Sequence, residues 1–167
     1  MKEFDIAVVG GGLAGSIAAV ALSRGGRRVA LIAPQAGSRD QRTTALMDQS
    51  LRMMERLGLW DAVRRSAAPL STMQIIDGTK RLLRAPVVAF RSAEIGLEAF
   101  GYNMPNSALM DVLNAAVSAE PNITSFANAA ETIAIGAAKV AIRLDDGEEI
   151  HADVVVGAVR RKSPVRT

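Results

Sequence analysis

A chain of 167 residues is about one ordinary domain long and can bury on the order of 70% of the surface its unfolded form exposes, so it requires no staple. It holds no cysteine, which excludes disulfides, thiol nucleophiles and cysteine-based zinc sites, and 49% apolar against 22% charged residues exclude a disordered segment. Twenty Lys and Arg against seventeen Asp and Glu leave +3, but with one Trp, one Tyr and four Phe in the whole chain a nucleic-acid surface lacks its aromatic readers. The charge reads instead as a solvated basic tail, Arg160-Arg161-Lys162 with Arg166.

The N-terminus, Met1-Lys2-Glu3-Phe4-Asp5, enters an apolar run that is too short and wrongly flanked for a signal peptide. No apolar stretch approaches the ~18 residues of a membrane span. The expectation is a soluble, cytoplasmic chain that at most rests on a membrane surface. Ile6-Ala7-Val8-Val9 reads as a parallel strand covered on both faces. Gly10-Gly11-Gly12-Leu13-Ala14-Gly15 follows, then a helical pattern over 16–24 that Gly25-Gly26 stops. Val29-Ala30-Leu31-Ile32-Ala33 is a second buried strand closed by Pro34, completing one βαβ unit in about thirty residues.

Residues 35–44 read as a polar exposed loop. Thr44 or Asp48 can cap a helix through Leu51, Met54 and Leu57 that Gly58 ends, and a short helix spans 60–65. Met47, Met53 and Met54 sit at roughly helical spacing and read as core filling. Over 73–85 the period shifts toward two, and Asp77-Gly78 between Gln74-Ile75-Ile76 and Arg81-Leu82-Leu83 signals a hairpin. Residues 86–101 read as an irregular connection. Asn106 or Ser107 then caps a helix with Leu109, Leu113 and Val117 on one face, ending near Pro121. Alternating segments at 130–135, 140–144 and 150–156, with Gly136 and Asp145-Asp146-Gly147 at the turns, predict an antiparallel meander whose last strand is apolar enough to be central. The fold class expected is therefore α/β, a Rossmann-like βαβ with a parallel sheet plus a meander, in one domain spanning 1–167.

A G-x-G-x-x-G string alone is weak, since glycines serve many turns. Between two buried strands it says more. Gly10 permits the tight turn, Gly12 lets backbone approach a pyrophosphate, and Gly15 lets the helix pack on the sheet. With Leu13 and Ala14 they open a helix whose N-terminal amides and dipole suit phosphate. One expected part is missing: the acid that takes the ribose hydroxyls at the end of the second strand is replaced by Ala33, followed by Pro34-Gln35. Gln35 or a backbone group would then hold the ribose, while Arg39 could instead favour a 2′-phosphate and keeps an NADP reading open.

This opening, with Asp40-Gln41-Arg42-Thr43-Thr44-Ala45-Leu46, Leu57-Gly58-Leu59-Trp60, Gly101-Tyr102-Asn103-Met104-Pro105-Asn106 and the segment 153–166, in that order over nearly the whole chain, resembles the FAD-dependent hydroxylases of ubiquinone biosynthesis. Those are flavoprotein aromatic monooxygenases built like para-hydroxybenzoate hydroxylase. The resemblance implies that Gly10, Gly12, Leu13, Ala14 and Gly15 form the FAD pyrophosphate loop, that Arg42 with Thr43 reaches back to the cofactor, and that Asn106 opens a helix beside the flavin. Chemistry alone makes Arg42 as readily a solvated loop residue, and favours a plain helix cap for Asn106. In such enzymes FAD, reduced by NAD(P)H, uses O₂ to put one oxygen on an electron-rich ring, while the protein orients that hydrophobic aromatic substrate and keeps water out. No catalytic side chain and no metal cluster is then needed, and His151, beside Glu148 and Glu149, reads as a surface residue.

Two departures stand out. The family's last strand runs into Gly-Ala-Asp-Gly-Arg, where this chain has Gly157-Ala158-Val159-Arg160-Arg161, so the coupling to reductant is open. The chain also ends where the family continues into its substrate sheet and second cofactor motif, so the expectation is a truncated, N-terminal part with little or no hydroxylase activity of its own. Peripheral contact with a membrane or with partner enzymes, and self-association through uncovered apolar faces, follow as expectations. Two other readings stay open: a non-catalytic dinucleotide-binding module, and an NAD(P)-dependent oxidoreductase, for which a second βαβ half is wanting.

Overall fold

The computed structural model describes residues 2–34 and 40–159, and these divide into two compact units, 1–40 with 109–167 and 41–108. The calls on Gln35, Arg39 and the tail Arg160-Arg161-Lys162 with Arg166 lie outside the described residues. Among those described, no helix is long and apolar enough to cross a membrane.

The first unit is built on strand β1 (Lys2–Val9), helix α1 (Leu13–Arg24) and strand β2 (Val29–Ile32), the βαβ unit that the glycine turn and the two apolar runs predict. Gly26 takes φ +81, and the Arg27 amide reaches back to the Leu22 carbonyl at 3.2 Å, so the paired glycines do end the helix. β1 pairs with β2 in parallel. At their N-terminal ends the Asp5 carboxylate accepts the Arg28 amide and its guanidinium, both at 2.8 Å, and that partner holds the carboxyl below its ordinary pKa.

Three later strands, in the second half of the chain, form the meander that the sequence predicts and join this same sheet. They are numbered after those of the second unit: β9 (Ala130–Ile135), β10 (Val140–Leu144) and β11 (Glu149–Gly157). β9, β10 and β11 form the antiparallel meander, and β11 lies parallel to β1, so the last strand is central as expected. One strand was not predicted, β8 (Ile123–Phe126), which adds to β2 at the edge and gives the order β8-β2-β1-β11-β10-β9. One face of the sheet buries Phe4, Val9, Ile32, Ile142 and Ile150; the other buries Val8, Val29 and Leu31 with Ala19 of α1.

The second unit departs further from the sequence reading. Thr44 does not cap a helix: it lies in strand β3 (Thr43–Met47), and helix α2 (Asp48–Arg56) begins only at Asp48, with α3 (Trp60–Arg64) after Gly58 at φ +58. Of the three methionines read as core, Met54 is the one residue that α2 buries; Met53 of the same helix is 39% exposed, and Met47, at the exposed end of β3, is 46% exposed. β3 pairs with β7 (Gly101–Pro105), which also carries β4 (Ala68–Pro69). The hairpin signalled by Asp77-Gly78 exists with a different partner. β5 (Thr72–Ile75) pairs with β6 (Val88–Arg91), inside the supposed irregular connection, and Arg81-Leu82-Leu83 belong to no strand. Helix α4 (Asn106–Ala119) starts at Asn106 and buries Leu109 and Leu113 as the spacing requires.

Candidate functional site

The glycine loop forms where β1 runs out. Its last residue, Val9, accepts the Ala158 amide at 2.8 Å, so the end of β11 lies against the turn. Gly10 has φ +118, a region that side chains avoid, and its amide donates to the Ile32 carbonyl at 2.8 Å, tying the turn to β2. A Cβ on Gly10 would come 2.5 Å from the Ala158 carbonyl oxygen. A Cβ on Gly15, in the first turn of α1, would drive into the Gly10 carbonyl oxygen and lie 3.1 Å from Ala158 Cβ. Gly11, which the motif leaves unspecified, would place a Cβ 2.5 Å from that of Ala33. These three glycines are therefore demanded by the fold itself.

Gly12 is different. Its φ of −76° and ψ of −176° suit any residue, and a Cβ there meets nothing within 4 Å. Nothing in the packing asks for glycine. Gly12 precedes the first turn of α1, where no side chain caps the helix and no acid stands among the first residues. The amides of Leu13, Ala14 and Gly15 thus face the loop mouth with the positive end of the helix dipole behind them. Ser16, 2% exposed, donates its hydroxyl to the Gly11 carbonyl at 3.3 Å and bonds its amide to the Gly12 carbonyl at 2.9 Å, which fixes the loop to the helix. Such an opening, uncapped and lined with main-chain donors, fits a diphosphate. At the end of β2, Ala33 offers no carboxylate to a ribose, and its amide is taken by the Phe126 carbonyl at 3.0 Å.

Arg42, Thr43 and Asn106 lie together in the second unit. Thr43 pairs with Pro105 across the β3–β7 ladder, and the Asn106 amide donates to the Arg42 carbonyl at 2.9 Å. The Asn106 side chain, in a residue 5% exposed, accepts the Thr44 hydroxyl at 2.5 Å. Asn106 thereby fastens the Arg-Thr-Thr segment to the start of α4, more than a plain cap does. Thr44→Val should cost about 0.5–1.5 kcal/mol of stability by removing this hydrogen bond. Thermal or urea melts check it, and an unchanged midpoint would contradict it.

Sequence reasoning missed Gly11, Ser16 and Ala158 as parts of the loop. The run of three glycines was a signal for Gly11, whereas nothing in the sequence marks Ala158 as the floor of the turn. His151, on β11, lies 3.0 Å from Glu149 and away from this loop's residues in the ladder.

A family model described as "FAD binding domain" matches residues 3–167. Ubiquinone hydroxylase UbiL of Rhodospirillum rubrum is 30% identical over 99% of this chain and 39% of its own length. The 3-demethoxyubiquinol 3-hydroxylase of Escherichia coli is 30% identical over 97% of this chain and 42% of its own. Among solved structures, p-nitrophenol 4-monooxygenase PnpA from Pseudomonas putida superimposes with a TM-score of 0.81 at 21% identity, over 99% of this chain and 43% of that one. The chain thus spans about two fifths of the length of the curated relatives it matches.

Proposed function

The chain belongs to the FAD binding domain family, and from that membership we infer that it is the cofactor-holding part of a flavin-dependent aromatic-ring monooxygenase that hydroxylates a ubiquinone precursor with NAD(P)H and O₂. The observation that carries this reading is Gly12, a glycine that the fold does not need, set before an uncapped helix. A pyrophosphate seated there needs the space that a side chain would take. Two relatives named for ubiquinone hydroxylation, matched over nearly the whole chain, support the substrate class.

In this reading the amides of Leu13, Ala14 and Gly15 take the phosphate oxygens, and Gly10 and Gly15 keep the turn tight enough for them to converge. FAD, when bound, supplies the redox and oxygen chemistry. The protein's own work is to hold the nucleotide, orient the ring and exclude water. Arg42, Thr43 and Asn106 are assigned to the cofactor on the sequence resemblance, and residues 1–167 are taken as one FAD-binding domain. Ala33 leaves the ribose without a carboxylate, so the adenosine end is held by weaker groups. A dehydrogenase reading is disfavoured, since the strands beyond β1 form a meander where a second βαβ half would stand.

Because the chain covers about two fifths of its curated relatives, it should bind FAD and yet turn over little or no substrate. Purified chain supplied with FAD, NADPH and a demethoxyubiquinone analogue should give no coupled product. NADPH oxidation matched by hydroxylated product would overturn that part of the reading, and a chain unable to take up added FAD would overturn the assignment itself. Self-association is expected through faces such as that of β5–β6, where Met73, Ile75 and Phe90 are exposed.

A further inference from the structure

The β5–β6 hairpin carries a long loop over residues 76–87, and its neck is closed by one side chain. Asp77 accepts the Thr79 amide on one carboxylate oxygen at 2.9 Å and the Ala85 amide on the other at 3.2 Å. Between those amides stands Lys80-Arg81-Leu82-Leu83-Arg84. Leu82 is 101% and Leu83 88% exposed, the most exposed large apolar side chains among the described residues. A single leucine in water is ordinary, but an adjacent pair held out on a clamped loop among three cations is not accounted for by the core. The one carboxylate at the neck, Asp77, stays ionised, and the three cations outnumber it, so the tip is net positive.

That charge decides among the occupants. Three cations in five residues oppose burial in an apolar protein interface, because each would lose its water without a partner. At a lipid surface the same residues are complementary: the leucines reach the acyl boundary, and the long Lys and Arg stems lie along it with their charges among anionic headgroups. We propose that the tip formed by residues 79–85 docks on an anionic lipid surface, Leu82 and Leu83 entering the acyl boundary while Lys80, Arg81 and Arg84 engage the headgroup phosphates. The proposal does not rest on the flavin reading and stands or falls without cofactor.

The test is co-sedimentation of the full chain with extruded vesicles of phosphatidylcholine alone or mixed with phosphatidylglycerol. Binding is expected to the mixed vesicles, weakening with salt, and at most weakly to the neutral ones. Leu82→Ser with Leu83→Ser should lower partitioning at least about tenfold, and Lys80→Glu with Arg84→Glu should lower it by a similar factor. All four side chains are exposed, so circular dichroism should report the same fold. In a Leu83→Trp variant, indole emission should shift to shorter wavelength on mixed vesicles alone. Equal binding to both vesicle types, no binding to either, or unchanged binding of the serine variant would each overturn the proposal. So would a serine variant whose only effect is to dissociate a dimer in the absence of lipid, since the tip would then serve a second copy of the chain.

Discussion

Gly12→Leu is expected to leave the protein folded and to weaken FAD binding at least about a hundredfold, which is roughly 2.8 kcal/mol. The backbone at Gly12 is extended and already acceptable to a leucine, and a Cβ there meets nothing within 4 Å. The side chain therefore grows into open space at the mouth of the loop, where the nucleotide's phosphates must approach the amides of α1. It costs the empty protein little and costs the bound one its closest contacts. Calorimetric or fluorescence titration with FAD, beside a thermal melt, separates the two effects. A variant with wild-type affinity would contradict the assignment of this loop.

Gly15→Val should do the reverse. A Cβ on Gly15 drives into the Gly10 carbonyl oxygen, and neither the rigid turn nor Ala158 behind it can retreat cheaply. A destabilisation of about 3 kcal/mol or more is expected, a fall of roughly 6–12 °C in melting temperature for a chain of this size. Loss of FAD binding would then follow from unfolding. A variant that melts like the wild type would show that helix and turn are less tightly apposed than the structure has them.

These two glycines mark what a sequence can and cannot disclose. The motif places Gly10, Gly12 and Gly15 alike, yet packing demands glycine at two of them and leaves the third open, a distinction that needs the neighbours of each missing Cβ. The first unit was legible because β2 and the end of β1 are buried on both faces and read as unbroken apolar runs, and because the meander strands lie between marked turns. β8 escaped notice as a four-residue edge strand.

The second unit was harder for a physical reason. β3 and β6 are largely exposed and their sequences carry no apolar alternation to betray a strand, whereas β5 alternates and was caught by its period of two. Asp77-Gly78 suggested a tight turn, whereas the Asp77 carboxylate closes a much longer loop by taking the amides of Thr79 and of Ala85. Thr44 was read as a cap because threonine suits that place. It lies in a strand and gives its hydroxyl to Asn106 instead, a partner 62 residues away that no local pattern reveals. Of the candidate site, the glycine turn was legible from its spacing between two buried strands, while Arg42, Thr43 and Asn106 were reached only through resemblance.

The most direct measurement is an amide-resolved NMR titration of the 167-residue chain with FAD. The account predicts that the largest shifts fall on the backbone amides of Gly12, Leu13, Ala14 and Gly15 and saturate together with flavin binding. Shifts centred elsewhere, with those four amides unmoved at saturation, would contradict it.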